Sequence, residues 1–139
     1  MRKLALLVAA GVAATVLAVA PASPASAASL CTTVVNHSNG SQNMAVPAAS
    51  GGGDNCLIGF GNLGCWGPNC QSVKRLQRTL NVCYGHNLVV DGEFGNKTYN
   101  ALRDAQRRSG VRDDGTYGPN TRSAMRHESN DVPNICHDY

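Results

Sequence analysis

The chain of 139 residues lacks a strong surplus of charge: 12 Lys and Arg stand against 9 Asp and Glu, a formal +3. Two of those cations, Arg2 and Lys3, sit at the extreme N-terminus, so the remainder carries only +1. A nucleic-acid partner normally requires a much larger basic footprint, and none is assigned.

Paired metal ligands are also missing. Cys65 and Cys70 have four residues between them, but no His pair with ligand spacing completes them, so no metal is assigned. His37, His86, His127 and His137 stand outside any nucleophile elbow or paired-His pattern, so no catalytic residue is assigned and the chain is read as a non-enzyme without cofactor. Asp113-Asp114-Gly115 lacks the spaced ligands and closing Glu of a calcium loop.

One long apolar run exists. Met1-Arg2-Lys3 is basic, the stretch from Leu4 to Ala20 is apolar and alanine-rich, and Ala25-Ser26-Ala27 gives a small-x-small cleavage site. This order predicts a secretory signal peptide over residues 1–27. An uncleaved anchor is the rival, but a spanning helix wants roughly 20 strongly apolar residues, more than this alanine-rich stretch supplies. The expected location is extracellular or cell-wall associated, with no membrane contact after cleavage.

All six cysteines, Cys31, Cys56, Cys65, Cys70, Cys83 and Cys136, follow the leader. An even count in a short exported chain predicts three disulfides and leaves all 15 connectivities open. Residues 28–69 are rich in Ser, Asn and Gly, which favours turns, and read as a cysteine-rich irregular arm with one short strand near Thr32–Val35. Apolar residues then recur at helical spacing, predicting helices over 71–82, 97–109 and 119–128. Gly110 would end the second, and Pro119 suits the first turn of the third. The expected architecture is mostly α: a small three-helix bundle over 70–128, a disulfide-stapled, loop-rich N-terminal arm, and a 129–139 tail held through Cys136.

A repeat lies inside the helical part. Asp91-Gly92-Glu93-Phe94-Gly95-Asn96-Lys97-Thr98 returns 23 residues on as Asp114-Gly115-Thr116-Tyr117-Gly118-Pro119-Asn120-Thr121. Ala101-Leu102-Arg103 then corresponds to Ala124-Met125-Arg126, so the unit is a turn plus the helix it launches. Asp-Gly provides a side chain for nearby amides and a residue free to take positive φ. The aromatic can fold under the turn, and Thr98 and Thr121 can satisfy its unpaired groups.

On Val73-Lys74-Arg75-Leu76-Gln77, Leu88-Val89-Val90-Asp91-Gly92-Glu93-Phe94-Gly95, Gln106 and Asp114 to Thr121, the stretch from Val73 to Arg126 resembles the peptidoglycan-binding domain 1 family. The resemblance implies a compact three-helix fold that docks on bacterial peptidoglycan, through glycan or stem peptide. Two positions depart from the family pattern: Ala105 stands where an aromatic is usual, and Arg122 where a Trp is common. Either the arm refills the space, through Trp66 or Phe60, or the ligand groove has changed.

Arg103 with Arg107, and Arg122 with Arg126, are each four apart and share a helix face. With Gln106 and Tyr117 they supply the expected ligand contacts, namely Gln106, Arg107, Tyr117, Arg122 and Arg126. Against this, exposed arginines are commonly solvated and worth little, and turn aromatics are commonly core. A second reading comes from the prodomain of matrix metalloproteases, whose fold this pattern also resembles. There a cysteine after the last helix caps a zinc, so Cys136 as a free thiol would imply a secreted inhibitor or partner-binding module.

Overall fold

The computed structural model describes residues 28–61 and 63–139. The expected signal peptide lies outside them, and no helix among the described residues is long and apolar enough to cross a membrane.

The arm is not irregular. It opens with β1 (Ser29–Leu30), followed by a hairpin of β2 (Thr33–Asn39) and β3 (Gln42–Ala48), and β4 (Cys56–Leu57) returns parallel to β1. The hairpin pairs Thr33 with Ala48 through to Asn39 with Gln42. Gly40 takes φ 66°, which a two-residue hairpin turn needs. Met44, Ala45, Val46 and Ala48 are all buried, so consecutive residues of β3 face protein on both sides.

Helix α1 (Gln71–Tyr84) turns Val73, Leu76, Leu80 and Tyr84 inward. It ends at Gly85 in the left-handed conformation, with Gly85 and His86 N–H groups returning to the Asn81 and Leu80 carbonyls. Helix α2 (Asn96–Arg108) buries Ala101, Leu102 and Ala105. Helix α3 is shorter than expected, Pro119–Ala124. Met125 is extended, and Arg126–Glu128 becomes β5, paired antiparallel with β6 (Cys136–Asp138).

The mostly α three-helix bundle is therefore corrected: about 30% of the structure is helix and 25% strand, in three two-stranded sheets. The physical reason at α3 is an anchor. Glu128 lies beneath α1, where Arg75 Nη1 (3.1 Å) and Arg78 Nη2 (2.8 Å) take its carboxylate. The Cys83–Cys136 disulfide brings β6 to the same region, and its backbone pairing replaces the helical bonds residues 126–128 forgo.

Three disulfides use all six cysteines: Cys31–Cys56, Cys65–Cys70 and Cys83–Cys136. One core gathers Cys31, Cys56, Ile58 and Cys70 with Val73, Leu76, Leu80, Phe94, Leu102, Tyr117 and Met125. The arm is sewn to the second turn as well: Ile58 and Tyr117 exchange both backbone hydrogen bonds, at 2.9 and 2.8 Å.

Candidate functional site

Each turn–helix unit is held by a glutamine from the preceding helix. Gln77 Nε2 on α1 donates to Asp91 Oδ1 (2.8 Å), the Glu93 carbonyl (3.0 Å) and Thr98 Oγ1 (3.3 Å), and its Oε1 accepts the Gly92 N–H (2.9 Å). Gln106 Nε2 on α2 repeats this with Asp114 Oδ1 (3.1 Å), the Thr116 carbonyl (3.0 Å) and Thr121 Oγ1 (3.0 Å), while its Oε1 accepts from Gly115 (2.9 Å). Asp91 and Asp114 each also accept the N–H two residues on. The repeat thus has a third member that lies outside the repeated octapeptide.

The Asp-Gly glycines have two reasons to be glycine. Gly92 (φ 82°) and Gly115 (φ 72°) are in the left-handed region, and a Cβ would collide with the Gly67 carbonyl at the first and the Tyr99 ring at the second. Phe94 and Tyr117 are fully buried beneath their turns. Tyr117 Oη has no hydrogen-bond partner in the structure, and burial raises its hydroxyl well above the ordinary tyrosine range.

Each unit makes a shallow concavity where its turn meets the start of its helix. The first, about 240 Å³, is lined by Leu88, Val89, Asp91, Glu93, Lys97 and Thr98, among others. The second, about 260 Å³, uses the corresponding Asp114, Thr116, Asn120 and Thr121. They differ in two ways. Charged Glu93 and Lys97 in the first are neutral Thr116 and Asn120 in the second. The arm intrudes only into the second, where Leu57 lies against Gly118 so closely that a Cβ there would meet its Cδ2 at 2.8 Å. The first is walled instead by the Leu88–Val89 segment. Hydrogen bonds from Gln77, then from the Glu93 N–H, hold the Asp91 carboxyl below its ordinary range, so it is ionised at neutral pH.

The residues expected to meet ligand are placed differently. Gln106 and Tyr117 are 0% exposed, and every polar atom of the Gln106 amide is used by the turn. Ligand contact by either would need surface that neither has. Arg122 is 7% exposed: it bonds the Asp54 carbonyl, faces Asp54 Oδ1 at 3.8 Å, and lies 4.9 Å over the Tyr139 ring. Arg107 and Arg126 are exposed but engaged, Arg107 with Asp113 (3.1 Å) and Asp104 (3.4 Å), Arg126 with the Cys136 carbonyl (2.7 Å) and Asp138 (3.6 Å). The five do not converge on one surface.

The departure at Arg122 is answered by a segment outside the helical part, while Phe60, 50% exposed, covers the edge of the core. Phe60 packs edge-on to Phe94 (5.6 Å) and against Tyr99 (4.9 Å). Trp66 is 53% exposed and fills no core space. Around Arg122 the tail does the filling: Tyr139 bonds Asp54 and stacks on His37 at 4.2 Å, with His127 edge-on at 5.9 Å. Cys136 is bonded to Cys83, which removes the free thiol an inhibitor of the zinc-capping kind would need.

Sequence reasoning assigned no role to Gln77, Glu93 or Lys97. The signal for Gln77 was present as a glutamine on the helix before each Asp-Gly, but the spacings differ, 14 residues to Asp91 against 8 to Asp114.

Two turn–helix units hang from a leading helix, each with a small concavity where its turn meets its helix. Residues 70–125 match the model of the family described as "Putative peptidoglycan binding domain", and this segment is a domain of that family. A stretch of 62 residues, 42% of the chain, is 37% identical to a "Probable N-acetylmuramoyl-L-alanine amidase" of Bacillus licheniformis. The match spans 17% of that relative's length. No solved structure matches the chain.

Proposed function

We propose that this chain is an exported, non-catalytic module that holds peptidoglycan in the first concavity, between Leu88–Val89 and the start of α2. The observation that carries the reading is the family match over residues 70–125. The geometry supports its location: the first concavity keeps both charge signs, Glu93 and Asp91 against Lys97, whereas the second has neutral Thr116 and Asn120 beside Asp114. Such a lining suits a ligand rich in hydroxyls, amides and carboxylates, as wall polymer is. The relative's wall-amidase name agrees in substrate, and the shared stretch is a small part of that protein.

Co-sedimentation of the purified, oxidised protein with insoluble peptidoglycan tests this. The wild type is expected in the pellet, and Lys97→Glu is expected to shift it toward the supernatant while keeping its circular dichroism. Wild-type protein remaining soluble at every salt concentration would overturn the function. Undiminished binding by Lys97→Glu would overturn the location.

A further inference from the structure

A larger concavity lies elsewhere, and the arm supplies part of its wall. It measures about 560 Å³ and is walled by α1 on one side and the β2–β3 hairpin on the other. Gln71, Lys74, Arg75 and Arg78 line it from α1, at the i, i+3, i+4 and i+7 positions that form one helix face. Val34, Ala45 and Val90 give it an apolar floor.

The cations here are unequal. Arg75 is spent: it donates to the Ala45 carbonyl (2.8 Å), the Glu128 carboxylate (3.1 Å) and carbonyl (2.5 Å), and Asn130 Oδ1 (3.2 Å). Arg78 gives Nε and Nη2 to Glu128 (3.0 and 2.8 Å), leaving Nη1 free of those bonds, and its side chain is 56% exposed. Lys74 enters no ion pair among the described residues. Asp91, the acid whose charge Lys74 feels, is already bonded by Gln77 and the Glu93 N–H. Arg75 and Arg78 therefore share the buried Glu128 carboxylate, Lys74 has only the Asp91 charge near it, and the uncommitted donors are Lys74 and Arg78 Nη1, one helical turn apart.

We infer that this groove is a second binding site, taking the free carboxylate end of a short peptide with small apolar side chains. Lys74 and Arg78 receive the carboxylate, and Val34, Ala45 and Val90 receive the side chains. Two cations one turn apart match a single anionic group rather than a polyanion, whose successive phosphates need a longer basic row. No aromatic side chain lines the groove, so the platform on which a sugar ring stacks is missing from it. The inference rests on the wall-binding reading only for the source of the peptide, since wall stem peptides carry such ends. Because the hairpin forms one wall, the site exists only with the arm in place.

The test uses the full chain without its leader and N-acetyl-D-Ala-D-Ala as probe, followed by two-dimensional NMR titration. The dipeptide is expected to shift the amides of Thr33, Val34, Lys74 and Val90. Lys74→Gln is expected to weaken it roughly tenfold, the scale of one charge-assisted hydrogen bond, and C-terminal amidation to weaken it at least as much. Equal binding of acid and amide, indifference to Lys74→Gln, or inorganic phosphate binding as tightly as the dipeptide would each overturn the inference. Pelleting with whole peptidoglycan while the dipeptide causes no shifts at all would overturn this site and leave the first concavity standing.

Discussion

Arg75 grips Glu128 at two points, its Nη1 on the carboxylate at 3.1 Å and its Nη2 on the backbone carbonyl at 2.5 Å. The pair joins the first helix to the strand that replaces the end of the third. Glu128 side chain is only 3% exposed, and hydrogen bonding from Arg78 holds its carboxyl below the ordinary range. Removing one member of a buried pair leaves the other charge uncompensated, at a cost of about 3 kcal/mol or more. Glu128→Gln is expected to lower unfolding free energy by that order in urea, with the Arg78→Gln loss much smaller because Arg78 is half exposed.

The two glutamines separate architecture from ligand contact. Gln106→Ala strands the buried Gly115 N–H and takes the donor from buried Thr121 Oγ1, a loss of about 2–4 kcal/mol by the usual penalty for unmade hydrogen bonds. Gln77→Ala is expected to cost a similar amount through Asp91, Gly92 and Thr98. If Gln106 acts only within the turn, the folded fraction of Gln106→Ala pellets with peptidoglycan as the wild type does. A folded Gln106→Ala that no longer pellets would show a ligand role instead.

Acid destabilises the fold through His127. Its Nε2–H donates to the Arg122 carbonyl at 3.0 Å, its Nδ1 has no partner, and burial lowers its pKa to about 4. The folded value lies below the ordinary 6.5, so the unfolded chain binds the proton more readily. The associated stability is full above pH 6.5 and is lost as pH falls toward 4, an effect on the order of 3 kcal/mol. His127→Gln keeps a donor without a titrating ring. Its urea midpoint is expected to change much less between pH 6.5 and 4, and equal slopes for both proteins would refute the assignment.

Disulfide contributions should follow loop length. Cys83–Cys136 spans 53 residues and Cys65–Cys70 spans 5. Loop-closure entropy gives about 4 kcal/mol for the first and about 2 for the second. Paired Cys→Ser replacement, measured by thermal unfolding, is expected to reproduce that order. A larger loss from the short loop would mean that packing of the arm, rather than chain entropy, dominates.

The parts of the fold legible in the sequence were those with a period or a local code. Val73, Leu76 and Leu80 mark α1, Leu102 and Ala105 mark α2, and the doubled Asp-Gly turns mark both helix starts. The hairpin was hidden because Met44, Ala45, Val46 and Ala48 are all inside, so β3 shows no alternation, and Pro47 argues against a strand. The end of α3 was hidden because its cause, Glu128 beneath Arg75 and Arg78, is fifty residues distant in sequence. For the site, local pattern is silent on burial: the turn uses the Gln106 amide, and Tyr117, its hydroxyl without a partner, is packed beneath the turn.

The exchange of backbone hydrogen bonds between Ile58 and Tyr117 sets the size of the transplantable cassette. A fragment cut at residues 70 and 125 would shed Ile58, Cys31 and Cys56 from the core, lose the partner of Cys83, and leave Arg75 without Glu128. Expressed alone, such a fragment is expected to be sticky and prone to protease nicking. Fusion proteins that need this domain folded should carry residues 28–139 intact.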